Sequence, residues 1–353
     1  MVVFLLLSPF WLVDQLTRDR RAEFFAKPTP DWHGRIELWH IAEFRTWQGS
    51  VTDFLQKRAD AYSKKHRGVH IDVVGLTVEK YRDRISRGLV PDAYSFPTGL
   101  LYAEQLQQIS PTLPQLQSGL RCAYSDGGAC MAVPFLTSGY FLAANVQLLS
   151  KYSFQLPEDA AGADAAYLQS ALQISAKVPQ LCIGAILAAR LGLTGEPATL
   201  EQFQKGQVML AVVDARTLGD LLRSEKQNLL VEAIPFPGYT DEVLYLAASR
   251  SADVRKAEAF SDFVEYLLSE DQQRRLTSLG ALPTAVLAEA PVYTDAHMDA
   301  LFAAENSVVS PDPFAYQRHK DALAEDALAA LTGDAAAVAS FWERMKVVES
   351  GII

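Results

Sequence analysis

The loop that follows the segment RIELWH (35–40) gathers side chains able to do chemistry: His40 at its start, then Glu43, Phe44, Arg45 and Trp47. His40 and Glu43 match a general acid–base pair in residue type. A hydrolase using Glu43 would need a second carboxylate at a fixed spacing, and none accompanies it. Phe44 and Trp47 can stack on the apolar face of a ring-shaped ligand, with Arg45 hydrogen-bonding at its rim. Phe44 can equally pack on a neighbouring helix. Trp47 is expected to be a ligand platform, exposed in the empty site, so that its truncation would weaken binding without loss of stability. A second loop offers Phe96, Pro97 and Thr98 after the apolar run AYSF, and a third offers Asp214-Ala-Arg216 after VMLAVV. An Arg fork suits a carboxylate or a pair of hydroxyls. The alternatives are a helix N-cap by Asp214 and a surface ion pair by Arg216.

Three cysteines are present and none is spaced Cys-x-x-Cys, which excludes a zinc ribbon and a thioredoxin-like centre. No metal-ligand spacing and no cofactor motif occurs, so neither a metal nor a cofactor is expected. Residues 120–124 and 128–133 flank Ser125-Asp126-Gly127, a three-residue hairpin loop with Gly last. In that register Tyr124 opposes Gly128 and Cys122 opposes Cys130. Opposed Cβ atoms are close enough for a bridge, so a Cys122–Cys130 disulfide is expected, the alternative being two free thiols. Cys182 reads as a small buried apolar residue.

The elements that must position these groups follow from periodicity. RIELWH reads as a strand. Ser50 is a fitting N-cap for a helix whose Val51, Phe54, Leu55, Ala59 and Tyr62 share one face, and Gly68 is a fitting stop. Residues 69–74 form the next strand, with Val69, Ile71 and Val73 on one side. Strand, helix, strand at this spacing is a βαβ unit and predicts a parallel sheet. Ligands of open α/β sheets sit outside the carboxyl ends of the strands, which is where the first two loops lie. Residues 100–108 read as a helix.

The chain has 353 residues, 49% hydrophobic and 21% charged, with a net charge of −10. That is enough for two domains of ordinary size. Scattered Lys and Arg on an acidic chain argue against a nucleic-acid partner. Residues 2–13 (VVFLLLSPFWLV) are continuously apolar. They fall short of the ~20 residues that span a bilayer and match the apolar region of a signal peptide in length. A signal or anchor segment and linker over 1–34 is expected, with a buried terminal element as the alternative.

The stretch MAVPF (131–135) followed by GYFLAAN (139–145) resembles the crossing strand of extracellular solute-binding proteins of ABC transporters, in the sugar-binding branch that includes maltose-binding protein. IELWH, YSKKHRGVHIDVV (62–74), YRDRISRG (81–88) and VPDAYSF (90–96) resemble the same family in the same order. So do TLEQFQKGQVMLAVVDARTLGDLL (199–222), VEAIPFPG (231–238) and, most specifically, KAEAFSDFVEYLLSEDQQRRL (256–276) with GALPT (280–284). The resemblance implies an α/β, two-lobe periplasmic-binding-protein-like fold of type II, its lobes joined by three crossing segments. These are expected near 133–138, 244–249 and 309–313, with 35–136 plus 247–310 as the first lobe and 137–246 plus 311–353 as the second. The middle of the second lobe is shorter than in the maltose-binding type and lacks the family's Trp. By the same likeness Tyr245 sits at a hinge, and Phe314 and Tyr316 open the last segment near the cleft. The implied function is capture of a small solute, a carbohydrate by the branch it resembles, and its delivery to ABC permease subunits, with no enzymatic activity. The implied place is extracytoplasmic and membrane-associated through residues 2–13, without a lipoprotein cysteine, since no Cys precedes Cys122. A membrane-anchored solute sensor and a degenerate member without transport are the alternatives.

Overall fold

A computed structural model describes residues 32–125, 127–158, 182–195, 199–224, 229–236, 238–304 and 309–351. The apolar segment 2–13, its linker and most of the Trp-less stretch after the first crossing lie outside the described residues. No helix among the described residues is long and apolar enough to cross a membrane.

Strand β1 (Gly34–Ala42) pairs in parallel with β2 (Val69–Thr77) and with β3 (Ala93–Pro97). Alternation along β1 sends Ile36 and Leu38 to one side and Trp39 and Ile41 to the other, and both sides are covered. Two-sided burial is what a parallel sheet requires. The helix Val51–Lys65 connects β1 to β2. It starts where Ser50 Oγ accepts from Asp53 N (3.2 Å), and the chain leaves it through Gly68 at φ +98°. Residues 100–108 are not a helix. They form a single 3-10 turn at Ala103–Gln105 and a two-residue strand, β4 (Leu106–Gln107), which pairs with a later strand.

After the short β5 (Ala123–Tyr124), β6 (Cys130–Thr137) belongs to the large sheet, and β7 (Tyr140–Asn145) is the centre of a second sheet. β7 pairs antiparallel with β8 (Leu210–Asp214) and β9 (Val231–Phe236). β10 (Val243–Ser249) then returns to the large sheet between β3 and β6, and β11 (Leu282–Pro283) ends it, in the order β11-β6-β10-β3-β1-β2. The chain therefore changes sheet the second time at 238–242, earlier than the 244–249 and the 246/247 boundary read from the sequence. All of β10 is hydrogen-bonded in the large sheet. Its run Val243–Ala248 is apolar throughout and fully buried, as a central strand demands.

The helix Val254–Leu267 lays Ala257, Phe260, Phe263, Val264 and Leu267 on the large sheet. Gln273 explains the specificity of the segment that follows. Its buried amide donates to Phe135 O (2.9 Å) and Leu267 O (3.1 Å) and accepts from Thr284 N (2.8 Å), so GALPT is tied to β6. The last two helices, Pro313–Leu331 and Ala335–Ser350, cover the small sheet with Leu323, Ala327, Phe341, Met345 and Val348.

The hairpin takes a different register from the one expected. Ser125 N bonds to Ala129 O (2.9 Å), Tyr124 opposes Cys130, and a bulge follows before Ala123 meets Ala132. Gly128 sits at φ +77°, inside the turn. Cys122 thus does not face Cys130 across the ladder, and both are free thiols rather than the expected disulfide. The Sγ atoms are near enough for the Cys122 thiol to be pushed up by its hydrogen bond to Cys130 and by burial.

His40, on β1, is buried with Nδ1 2.9 Å from Ser95 Oγ, and burial pulls it down from 6.5 to about 4. It stays neutral in the fold while the unfolded chain protonates near 6.5. The folded state should therefore lose stability as pH falls from 6.5 towards 4, by about 3 kcal/mol from this residue. Urea titrations at a series of pH values should show His40→Gln losing that part of the dependence.

Candidate functional site

Between the two sheets, beside the crossings, lies a cleft of about 370 Å³. Each wall has a local reason to be there. Glu43 and Phe44 follow the carboxyl end of β1, and Pro97 and Thr98 that of β3. Tyr140 opens β7, Asp214 closes β8, and Asp241 and Glu242 lie in the second crossing. Tyr316, Lys320 and Asp321 come from the first turns of the helix Pro313–Leu331. Asp312 caps that helix by accepting from Phe314 N (3.0 Å) and Ala315 N (2.9 Å), with Pro313 in its first turn, so the helix begins at the cleft.

The electrostatics are dominated by carboxylates. Asp241 accepts from both tyrosines, Tyr140 Oη at 2.6 Å and Tyr316 Oη at 2.7 Å. Glu242 is 3% exposed, and its Oε2 has no hydrogen-bond partner. The nearby Ser138 hydroxyl eases its charge, while Oε2 itself completes no hydrogen bond. Burial first, then the charges of Asp214 and Asp241, hold the Glu242 carboxyl well above the usual carboxylate range. Glu43 is also raised, first by desolvation. Asp241 adds to that rise, while Lys320 and Arg82 oppose it.

The structure brings together Glu43, Phe44, Thr98, Asp214 and Tyr316 of the residues expected at a ligand site, and it removes the others. His40 points into the interior, because alternation places it on the Ile36–Leu38 face of β1. Phe96 and Tyr245 stack on each other inside the large sheet (5.9 Å between ring centres), and Phe314 joins the same apolar cluster. Tyr245 is a fully buried β10 residue, not a hinge lining. Arg45 is exposed and turns toward Asp220 (3.9 Å), in a separate groove beside the helix Leu200–Gln204. Arg216 bonds to Asp220 (3.1 Å), the surface ion pair, and Asp214 caps its helix by accepting from Thr217 N, so both alternatives for that loop are realised. Asp214 still borders the cleft. Tyr140, Asp241, Glu242, Lys320 and Asp321 were not singled out from the sequence. A signal existed for one pair: two adjacent carboxylates immediately before an all-apolar strand.

Trp47 is the largest departure. It is 5% exposed and inserted into a cluster with Phe141 of β7, Phe203, Val213 and Met298. His297 stacks on it at 6.1 Å, and Arg223 lies over its ring at 5.8 Å. Its carbonyl accepts from Arg216 Nη1 (3.4 Å) and Arg223 Nη2 (3.3 Å). Gly280, in the left-handed region at φ +56°, lets the backbone pass against the Trp47 side chain, where a Cβ would lie 2.5 Å from the indole's own Cβ. The residue expected to greet a ligand instead fastens the β1 loop to the small sheet.

No protein-family model and no curated protein matches this sequence. Solved structures do match. The cyclic alpha-maltosyl-1,6-maltose binding protein from Arthrobacter globiformis has a TM-score of 0.60 at 16% identity, over 90% of this chain and 99% of that one. The GacH receptor of Streptomyces glaucescens, solved unliganded and with acarbose, has a TM-score of 0.58 at 16% identity, over 91% and 99%. An extracellular solute-binding protein from Staphylococcus aureus in complex with maltose has a TM-score of 0.58 at 12% identity, over 92% and 98%. The chain has the type II periplasmic-binding-protein fold of these solute-binding proteins.

Because Trp47 fills a packed site, Trp47→Ala should lower the unfolding free energy by about 3–5 kcal/mol. The check is urea denaturation of the ligand-free protein. An unchanged midpoint would return Trp47 to the exposed surface.

Proposed function

We propose that the protein is an extracytoplasmic solute-binding protein that captures a small carbohydrate in the interlobe cleft and presents it to ABC permease subunits. The observation that carries this reading is the cleft itself. It sits at the crossings, is lined from both sheets, and combines the rings of Phe44, Tyr140 and Tyr316 with polar groups. Apolar ring faces with a few placed polar groups are what a sugar ring engages. The names of the similar structures support it: they bind cyclic maltosyl-maltose, acarbose and maltose. Residues 2–13 would hold the protein at the membrane, as signal or anchor.

Binding without turnover fits the placement of the two residues that resembled a catalytic pair. His40 is buried on Ser95, while Glu43 borders the cleft. They do not act on a common point.

The sheets can approach and separate about the short segments that connect them, by hinge motion of few residues. Because the walls come from both sides, a bound solute contacts both.

A thermal-shift series with maltose, longer maltooligosaccharides, acarbose and chitin oligosaccharides tests the reading. A true ligand at about 100 times its dissociation constant should stabilise the fold by about 2.7 kcal/mol. Phe44→Ala should then weaken that ligand by about 1 kcal/mol beyond the lost contact area. Failure of every sugar in the series to shift the melting temperature would overturn the carbohydrate assignment.

A further inference from the structure

The cleft carries a charge pattern that a neutral sugar does not explain. Its lining holds the carboxylates of Glu43, Asp214, Asp241, Glu242 and Asp321 against one ammonium, Lys320. Most side-chain donors at the cleft are engaged within the protein, and Lys320 keeps one of its three N–H groups on the backbone. Thr98 Oγ1 donates to Val243 O (3.3 Å), the two tyrosine hydroxyls donate to Asp241, and Lys320 Nζ is drawn to Gly99 O (2.8 Å). What faces the space is therefore acceptor-rich. A sugar hydroxyl needs donors as well as acceptors around it, whereas an alkylammonium presents three donors and no acceptor.

Glu242 adds an independent observation. It is 3% exposed, lines the cleft, and has an oxygen without any hydrogen-bond partner. A buried, unpaired acceptor costs free energy unless a partner arrives. We propose that the cleft takes a solute bearing a protonated amine, with the ammonium group seated against Glu242 and Asp241 and within reach of the Glu43 charge. This rests on the reading of the cleft as a solute site and names the class of solute. Among the described residues no three His, Cys, Asp or Glu side chains converge as a metal site would require, so the spread of charge suits an extended organic cation.

The groups that face Glu242 and Glu43 are Asp214 from β8, Asp241 from the crossing, Tyr140 from β7, Lys320 and Asp321 from the helix Pro313–Leu331, and Arg82 from the helix Val78–Ser86. Carboxylates outnumber cations in that set. Burial and the neighbouring carboxylates raise the Glu242 carboxyl, and an arriving ammonium favours its ionised form. Cation binding should therefore be coupled to proton release wherever that carboxyl is protonated, and affinity should rise with pH until the ligand amine itself deprotonates.

The ammonium can come from an amino sugar or from an aliphatic polyamine, and the experiment separates them. The protein is titrated calorimetrically with glucosamine oligosaccharides, with their N-acetylated counterparts, which are uncharged, and with spermidine, each in two buffers of different protonation enthalpy. The expected result is at least about tenfold tighter binding of the amine form than of its acetylated twin. Proton release should accompany the amine form alone, and both differences should shrink in Glu242→Gln. Glu43→Gln, at an exposed loop position, serves if the first variant does not fold. Equal or tighter binding of the acetylated oligosaccharides would overturn the inference and leave the carbohydrate reading intact. Binding of spermidine but no sugar would uphold the ammonium site and remove the carbohydrate reading. Binding of none of the three would overturn both.

Discussion

The Asp241 carboxylate holds together the three places where the chain passes between the sheets. Tyr140, which donates to one of its oxygens, begins β7 directly after the first crossing. Asp241 itself lies in the second. Tyr316, which donates to the other oxygen, begins the helix directly after the third. Hydrogen bonds to a charged group are worth about 1.5–3 kcal/mol each, more than an exposed ion pair typically contributes. The backbone around it is laced the same way. Ser138 N donates to Glu242 O (2.9 Å), Thr240 Oγ1 donates to Ser138 O (2.9 Å), and Thr240 N donates to Val309 O (3.1 Å). With Asp241 committed to the tyrosines, the residue after it is brought to the cleft wall inside the fold, and that residue is a glutamate.

Much of this architecture is legible in the sequence, because it rests on local rules. The βαβ unit follows from period-two and period-3.6 patterning with Ser50 and Gly68 at the helix ends. The strand-end rule points to the loops after β1 and β3, and Glu43, Phe44 and Thr98 of those loops border the cleft. The failures are of a different kind. His40 is the last residue of RIELWH, and the same alternation that buries Ile36 and Leu38 assigns it to their face. Register, not the chemistry of the imidazole, decides where it points. Trp47 depends on partners far away in the chain, with His297 on one side and Gly280 on another. No local pattern announces a bed assembled from segments roughly a hundred to two hundred and fifty residues downstream. The Asp241–Glu242 pair lies in a connection with no motif of its own, although carboxylates next to a wholly apolar strand are where solvent is about to be excluded.

The hairpin shows how small a local change decides a covalent one. Moving the turn by one residue, so that Gly128 takes the left-handed position, sets Tyr124 rather than Cys122 opposite Cys130. The bulge that follows sets Ala123 opposite Ala132, which carries Cys122 further past Cys130 along the ladder. A one-residue slip turns every following side chain to the other face, and bulges are the means by which strands absorb it.

The approach of the two sheets has opposed energetic terms, and they lie on either side of the same loop. Trp47 favours it: burial of an indole with its ring contacts contributes several kcal/mol. The carboxylates disfavour it, since Glu43 from the large sheet is carried toward Asp214 of the small sheet and toward Asp241 and Glu242 at the crossing. Glu43 and Glu242 are both raised first by burial, with Asp241 adding to each and Asp214 to Glu242. A ligand shifts a two-state equilibrium only by its differential affinity for the two states. A cation in this cleft meets that condition, because the carboxylates it would compensate belong to different walls and act on one point only when the walls are near. A neutral ligand gains contact area from the same approach but leaves the repulsion in place. On the proposed reading of the cleft, the charge of the solute, rather than its size alone, would set how far binding and closure are coupled.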